Sequence, residues 1–220
     1  MKITILTLFP EYFTSPFSTS IIKRSAEKSL AEISILNIRD YTTDKHHMTD
    51  DRPFGGGPGM VMKIEPIYNA LTSIKASKGT SNEQILLTSA KGSLFTQSTA
   101  QSLSGLERVI IICGHYEGVD ERVVSELIDG ELRIGDYVLT GGEPAAAVIT
   151  DAVVRLLPGV LGNESSNQDE SHTVPGTLGY PQYTRPEEFN GWKVPEILLA
   201  GHHEQIKKWR KQQRKTVAKE

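Results

Sequence analysis

The chain has a single cysteine in 220 residues. Cys113 therefore has no partner for an intramolecular disulfide, and the count fits a reducing, cytoplasmic setting. Cys113 sits in an apolar run and reads as a small buried hydrophobe. Long apolar stretches are missing too, so no membrane helix is expected. Near the N-terminus Lys2 leads into a strand pattern, Ile3-Thr4-Ile5-Leu6, without the small-residue cleavage site of a signal peptide. Gly-x-Gly-x-x-Gly does not occur, which disfavours the common dinucleotide-binding fold. The triple glycine at Gly55-Gly56-Gly57 lacks the Gly-Lys-Ser/Thr ending of a phosphate-cradling loop. His46 and His47 are adjacent, not spaced as zinc ligands, and no cysteines accompany them, so no metal site is expected. Net charge is only −3, which gives no global attraction to nucleic acid. We find no internal repeat.

What is present is a core and a set of strand–loop–helix units. Hydrophobic residues make up 38% of the chain, enough to bury a sizeable interior. The length suits one large domain or one domain with an appendage. The organising stretch runs from Val109 to Gly159. Val109 to Cys113 is β-branched, apolar and too short for a helix, which predicts a fully buried strand. Gly114 and Gly118 bracket the polar His115-Tyr116-Glu117, and Asp120 and Glu121 open an amphipathic helix. A second strand is predicted over roughly Leu132 to Leu139, ending in Gly141-Gly142. Pro144 suits the first turn of the next helix, and Pro158-Gly159 stops it.

Further strands are predicted at Lys2 to Leu8, Ile33 to Ile38 and Gln84 to Thr88, with helices at Ser20 to Leu30, Glu65 to Ile74 and Gln97 to Leu106. This alternation implies parallel pairing and an α/β fold. Loops following Thr88, Cys113 and Leu139 leave strand ends, where ligands of open α/β sheets bind. They offer backbone donors and acceptors and few charges, which suits a nucleoside-bearing ligand. Arg39 to Met62 reads as a long functional loop, able at its glycines to approach another surface closely. The segment Asn163 to Thr173 is polar and acidic and reads as an interdomain linker. Beyond Tyr180, short helices are expected. The basic run Lys207, Lys208, Arg210, Lys211, Arg214 and Lys215 surrounds Trp209. It is either a face for phosphate backbones or a solvated helix.

Several short sequences recur here in a fixed order. They are Leu6-Thr7-Leu8-Phe9-Pro10, Asn37-Ile38-Arg39-Asp40-Tyr41, Thr43-Asp44-Lys45-His46, Gly55-Gly56-Gly57-Pro58-Gly59-Met60, Cys113-Gly114-His115-Tyr116-Glu117-Gly118, Ile134-Gly135-Asp136-Tyr137-Val138-Leu139-Thr140-Gly141-Gly142-Glu143 and Tyr183-Thr184-Arg185-Pro186. Singly they are unspecific. As an ordered set they resemble the bacterial tRNA (guanine-N1)-methyltransferases of the TrmD family, in the SPOUT superfamily, which modify guanosine 37. The resemblance covers nearly the whole chain.

The resemblance implies a SPOUT-type α/β fold with a parallel sheet, a deep trefoil knot over roughly Leu86 to Ala147, and a small helical C-terminal domain. Residues 1–160 would form the knotted catalytic domain, 161–175 a flexible linker and 176–220 a helical tRNA-binding domain. The cofactor would be S-adenosyl-L-methionine. By family position its contacts are Leu87, Thr88, Gly114, Tyr116, Glu117, Ile134, Gly135, Asp136, Tyr137, Val138, Leu139, Gly141 and Gly142, largely through backbone. The enzyme would be a cytoplasmic homodimer acting on tRNA, with each active site built from both chains.

Guanine N1 carries a weakly acidic proton and is a poor nucleophile until a base removes it. A carboxylate at N1 and a cation near O6 are therefore needed. The family's arginine position falls on Arg155, whose bland alternative is an i,i+4 pair with Asp151. The family's linker carboxylate falls on Glu170 or its neighbour Asp169, although a solvated acidic tether would also account for both. Glu117 either orients substrate or caps the following helix. The chain departs from the family pattern at Ser89, where relatives have proline, at Pro144, one place early, and at His172, where relatives have phenylalanine.

Overall fold

Six residues near the N-terminus, Lys2–Thr7, form β1, with all but Lys2 buried. The computed structural model describes residues 1–162 and 169–217. After a 3₁₀ turn at Pro10–Phe13 come α1 (Thr14–Phe17), α2 (Ser20–Glu27) and β2 (Glu32–Asn37). The long loop that follows contains a short antiparallel pair, β3 (Asp50–Asp51) with β4 (Val61–Met62). Then come α3 (Ile64–Ser73), β5 (Glu83–Leu94), α4 (Gln97–Ser104), β6 (Arg108–Cys113), β7 (Gly130–Arg133) and α5 (Glu143–Val154).

The five long strands make one parallel sheet in the order β2-β1-β6-β5-β7. Strand period 2 sorts its apolar side chains into two cores. Ile3, Ile5, Leu86, Val109 and Ile111 face one way, against α2, α4 and α5 through Ile22, Leu103, Ile149 and Val153. Leu6, Ile85, Leu87, Ile110 and Ile112 face the other way, against α3 through Ile67, Ala70 and Leu71. Burial on both faces explains the continuous Val-Ile-Ile-Ile-Cys run of β6. Cys113 is fully buried, as its setting in that run implied.

Three sequence expectations are corrected. The strand expected to reach Leu139 ends at Arg133, and residues 134–139 are bends and irregular backbone. The apolar side chains there line a cavity instead of a ladder. The loop expected after Thr88 is part of β5, which pairs with β7 on either side of a register break between Thr88 and Ser93. The helix expected after Asp120 is a π-turn at Val123–Leu127 that buries Val123.

A second compact unit spans Asn163–Glu220. It holds β8 (Thr177–Leu178), β9 (Glu188–Phe189), β10 (Trp192–Lys193), α6 (Glu196–Leu199), α7 (His203–Gln213) and β11 (Lys215–Thr216). Beside the helices α6 and α7 stand two antiparallel strand pairs, β8 with β11 and β9 with β10, so the unit is mixed where short helices alone were expected. None of its described residues is fully buried. It is held by contacts such as Arg210 over the Tyr180 ring at 4.9 Å, and Tyr183 against Trp209 at 6.5 Å.

Candidate active site

The middle of β5 at Leu87 to Lys91, strand β7 and the loops that leave β6 and β7 enclose a cavity of about 310 Å³. Chain order explains the convergence. The chain lays down β5, then β6 on one side of it, then crosses to place β7 on the other side. Ligands of such sheets sit where neighbouring connections leave in different directions.

Twelve of the thirteen residues expected at the cofactor line this cavity: Leu87, Thr88, Gly114, Tyr116, Glu117, Ile134, Gly135, Tyr137, Val138, Leu139, Gly141 and Gly142. Asp136 does not. Its carboxylate accepts from Arg133 Nε at 2.7 Å on the outer side of the turn. The lining also takes in Lys91, Glu121, Glu131 and Arg133, which the sequence reading left out. Lys91 lies in a segment already singled out. Glu131 and Arg133 belong to β7, whose early end moved the lining toward the N-terminus of the expected strand.

Close backbone packing shapes the walls. Gly142 N–H donates to Gly114 C=O at 2.8 Å. A Cβ on Gly142 would overlap Thr88 Oγ1 and lie 2.8 Å from Gly114 N, so only glycine fits there. The Thr88 hydroxyl is committed to the neighbouring strand: it donates to Ile112 C=O at 3.2 Å and accepts from Gly114 N–H at 3.3 Å. What Thr88 presents to the cavity is therefore backbone. Tyr116 turns the β6 loop at φ 58°, and its side chain is 43% exposed. Val138 at the rim is 85% exposed. The wall thus combines backbone groups and apolar rims with the charged side chains Lys91, Glu117, Glu121, Glu131 and Arg133.

The glycine-rich loop borders the same wall. Glu117 N–H donates to Met60 C=O at 3.1 Å, and Met62 N–H donates to Gly118 C=O at 2.9 Å. Gly59, at φ 78°, packs so tightly that a Cβ would lie 2.5 Å from Glu117 Cγ. Gly55, Gly56 and Gly57 also take positive φ, and Phe54 beside them is fully exposed. The Asp44–His47 cluster builds a turn: Asp44 accepts from His46 N–H at 2.9 Å and Met48 N–H at 3.1 Å, and His47 Nδ1 lies 3.0 Å from Thr42 Oγ1.

Beneath the cavity lies a polar cluster that sequence reasoning missed. Glu143, in the first turn of α5, is 3% exposed, and its Oε1 accepts from Thr7 Oγ1 at 2.7 Å. Burial, and secondarily the Glu143 carboxylate, push the Cys113 thiol well above its usual pKa. The available signal was a charged residue inside the otherwise apolar Pro144-Ala145-Ala146-Ala147 helix start.

The catalytic candidates lie elsewhere. Arg155 is the C-cap of α5, whose N-terminus forms the cavity wall. A helix of 12 residues is about 18 Å long, so Arg155 stands at the far end from its own chain's cavity. Of the expected linker, residues 163–168 lie outside the described residues. Asp169 and Glu170 belong to the second unit. Asp169 is exposed and pairs with Arg214, whereas Glu170 is half-buried and its carbonyl accepts from Thr173 N–H at 3.4 Å. The basic residues Lys207, Lys208, Arg210 and Lys211 lie on α7 and are exposed.

Comparison with known proteins agrees with this layout. The model of the family described as tRNA (Guanine-1)-methyltransferase TrmD matches residues 1–220. A tRNA (guanine-N(1)-)-methyltransferase of Pelotomaculum thermopropionicum is 53% identical over 213 residues, covering 97% of this chain and 84% of the relative. Similarly named proteins of Geobacter sp. strain M21 and Staphylococcus carnosus are 54% and 50% identical, covering 99% and 97% of this chain and 87% and 86% of theirs. With a whole-chain match, half its residues shared, and a cavity enclosed by β5, β7 and the loops leaving β6 and β7, this chain belongs to the TrmD family of tRNA (guanine-1)-methyltransferases.

Proposed function

We propose that the protein transfers a methyl group from S-adenosyl-L-methionine to N1 of guanosine 37 in tRNA. The observation that carries this reading is the cavity enclosed by β5, β7 and the loops leaving β6 and β7, combined with family membership. The cavity lies toward the strand ends, where a donor of this class would sit, and its wall mixes backbone with apolar and charged side chains. The middle of β5 and the loops after β6 and β7 would hold the donor, which supplies an electrophilic methyl group on a sulfonium.

The chain's own residues supply the rest. Glu170 removes the N1 proton and Arg155 steadies the negative charge that develops toward O6. Asp169, which pairs with Arg214, is the alternative base. The distance between Arg155 and its own cavity supports a homodimer in which Arg155 serves the partner's site. The crossing from β6 over β5 to β7 supports the deep trefoil knot over residues 86–147. Lys207, Lys208, Arg210, Lys211, Arg214 and Lys215 meet tRNA phosphates. The reading places the enzyme in the cytoplasm, where unmodified tRNA is available.

The test is methyl incorporation from the donor into unmodified tRNA carrying either guanosine or adenosine at position 37. N1-methylguanosine, identified by mass spectrometry in the first tRNA alone, is the expected result. Methylation of a ribose hydroxyl, or equal labelling of both tRNAs, overturns the proposal.

A further inference from the structure

The cluster beneath the cavity is buried, polar and unused by the chemistry above. Thr7 Oγ1, at the end of β1, accepts from Phe9 N–H at 2.9 Å and donates to Glu143 Oε1 at 2.7 Å. Phe9 packs on the His115 ring, centroids 5.1 Å apart, and His115 packs edge-on against Tyr116 at 4.7 Å. Glu143 Oε2 and His115 Nδ1 converge on Gly141, where a Cβ would lie 2.5 Å from the one and 2.6 Å from the other. His115 Nδ1 is buried and makes no hydrogen bond in the structure. Both atoms thus face the same small space beside Gly141. Backbone bridging of His115 to Gly141 joins the same two loops above.

We propose that Glu143 and His115 are positioning residues for donor binding, a carboxylate–imidazole couple that locks the His115-Tyr116 loop and the Gly141-Gly142 loop at the spacing the donor needs. This rests on the cavity being the donor site. Glu143 is outside the cavity lining, whereas His115 lines it beside Tyr116, Gly141 and Gly142. Glu143 stands in the first turn of α5, where the Thr7 hydroxyl holds its carboxyl group.

The experiment measures donor affinity by calorimetry with S-adenosylmethionine, and turnover at saturating donor, for the wild type and for Glu143→Gln, Thr7→Val and Thr7→Ser. Glu143→Gln keeps an acceptor for Thr7 but removes the charge. It should weaken donor binding about tenfold while turnover at saturation stays within about twofold. Thr7→Val should weaken binding in the same direction, and Thr7→Ser should restore it. Equal affinity in Glu143→Gln overturns the inference, as does a parallel fall of affinity, turnover and melting temperature. A wild-type protein that binds no donor defeats the cavity reading instead, so the two failures are distinct.

Discussion

The two units of this chain are stabilised in different ways. The first packs two apolar layers against a five-stranded sheet, and its cavity walls combine backbone with side chains held in place by that packing. The second has no fully buried described residue and relies on ring–ring contacts, a guanidinium over a tyrosine, and short strand pairs. The difference teaches that the cavity is built on the deeply buried core, while the basic helix belongs to a unit with no fully buried described residue. Substitutions in the first should damage folding or donor binding. Those in the second should damage RNA-dependent steps and leave the first intact.

The largest effects should test whether chemistry draws on both units. Arg155→Ala from the first and Glu170→Gln from the second should each cut turnover by about 10²–10⁴-fold without weakening donor binding. If Asp169→Asn is crippling and Glu170→Gln is mild, the base assignment moves by one residue. Next in size is the stability contrast. Ile111→Ala, fully buried in β6, should lower unfolding free energy by about 2–5 kcal/mol in denaturant titration. Ile206→Ala, half-buried on α7, should cost less than about 1 kcal/mol. Similar losses at both sites would erase the distinction. The smallest effect belongs to the exposed charges. Lys207→Gln with Lys208→Gln should weaken tRNA binding several-fold and flatten its salt dependence by about one to two units of slope, with melting temperature unchanged. A variant with wild-type salt slope would remove α7 from the RNA interface.

Much of the first unit is legible in the sequence, because burial on both sheet faces writes itself as uninterrupted apolar runs such as Val109 to Cys113. Strand starts follow from local chemistry, whereas α5 ends at Val154, ahead of the stop expected at Pro158-Gly159. The strand failures have a common cause. Ile134 to Leu139 alternates like a strand, yet β7 ends at Arg133, since the apolar side chains there rim a cavity. Ser89 to Gly92 reads as a loop, yet it continues β5, because β7 supplies pairing from across the sheet. Nothing local announces a partner 40 residues away. The cavity residues themselves came from resemblance to a family, not from periodicity. Glu143 escaped notice because a lone acid at a helix start is ordinary, and only the fold brings Thr7 and His115 to it.

The helix α5 begins at the cavity and ends at Arg155. It therefore works as a ruler. Adding or removing one residue within it would turn the guanidinium by about 100° around the axis and move it about 1.5 Å along it, while the donor cavity kept its shape. Insertions and deletions should be tolerated better in the loops on either side than inside this one helix, whose register sets where the guanidinium stands.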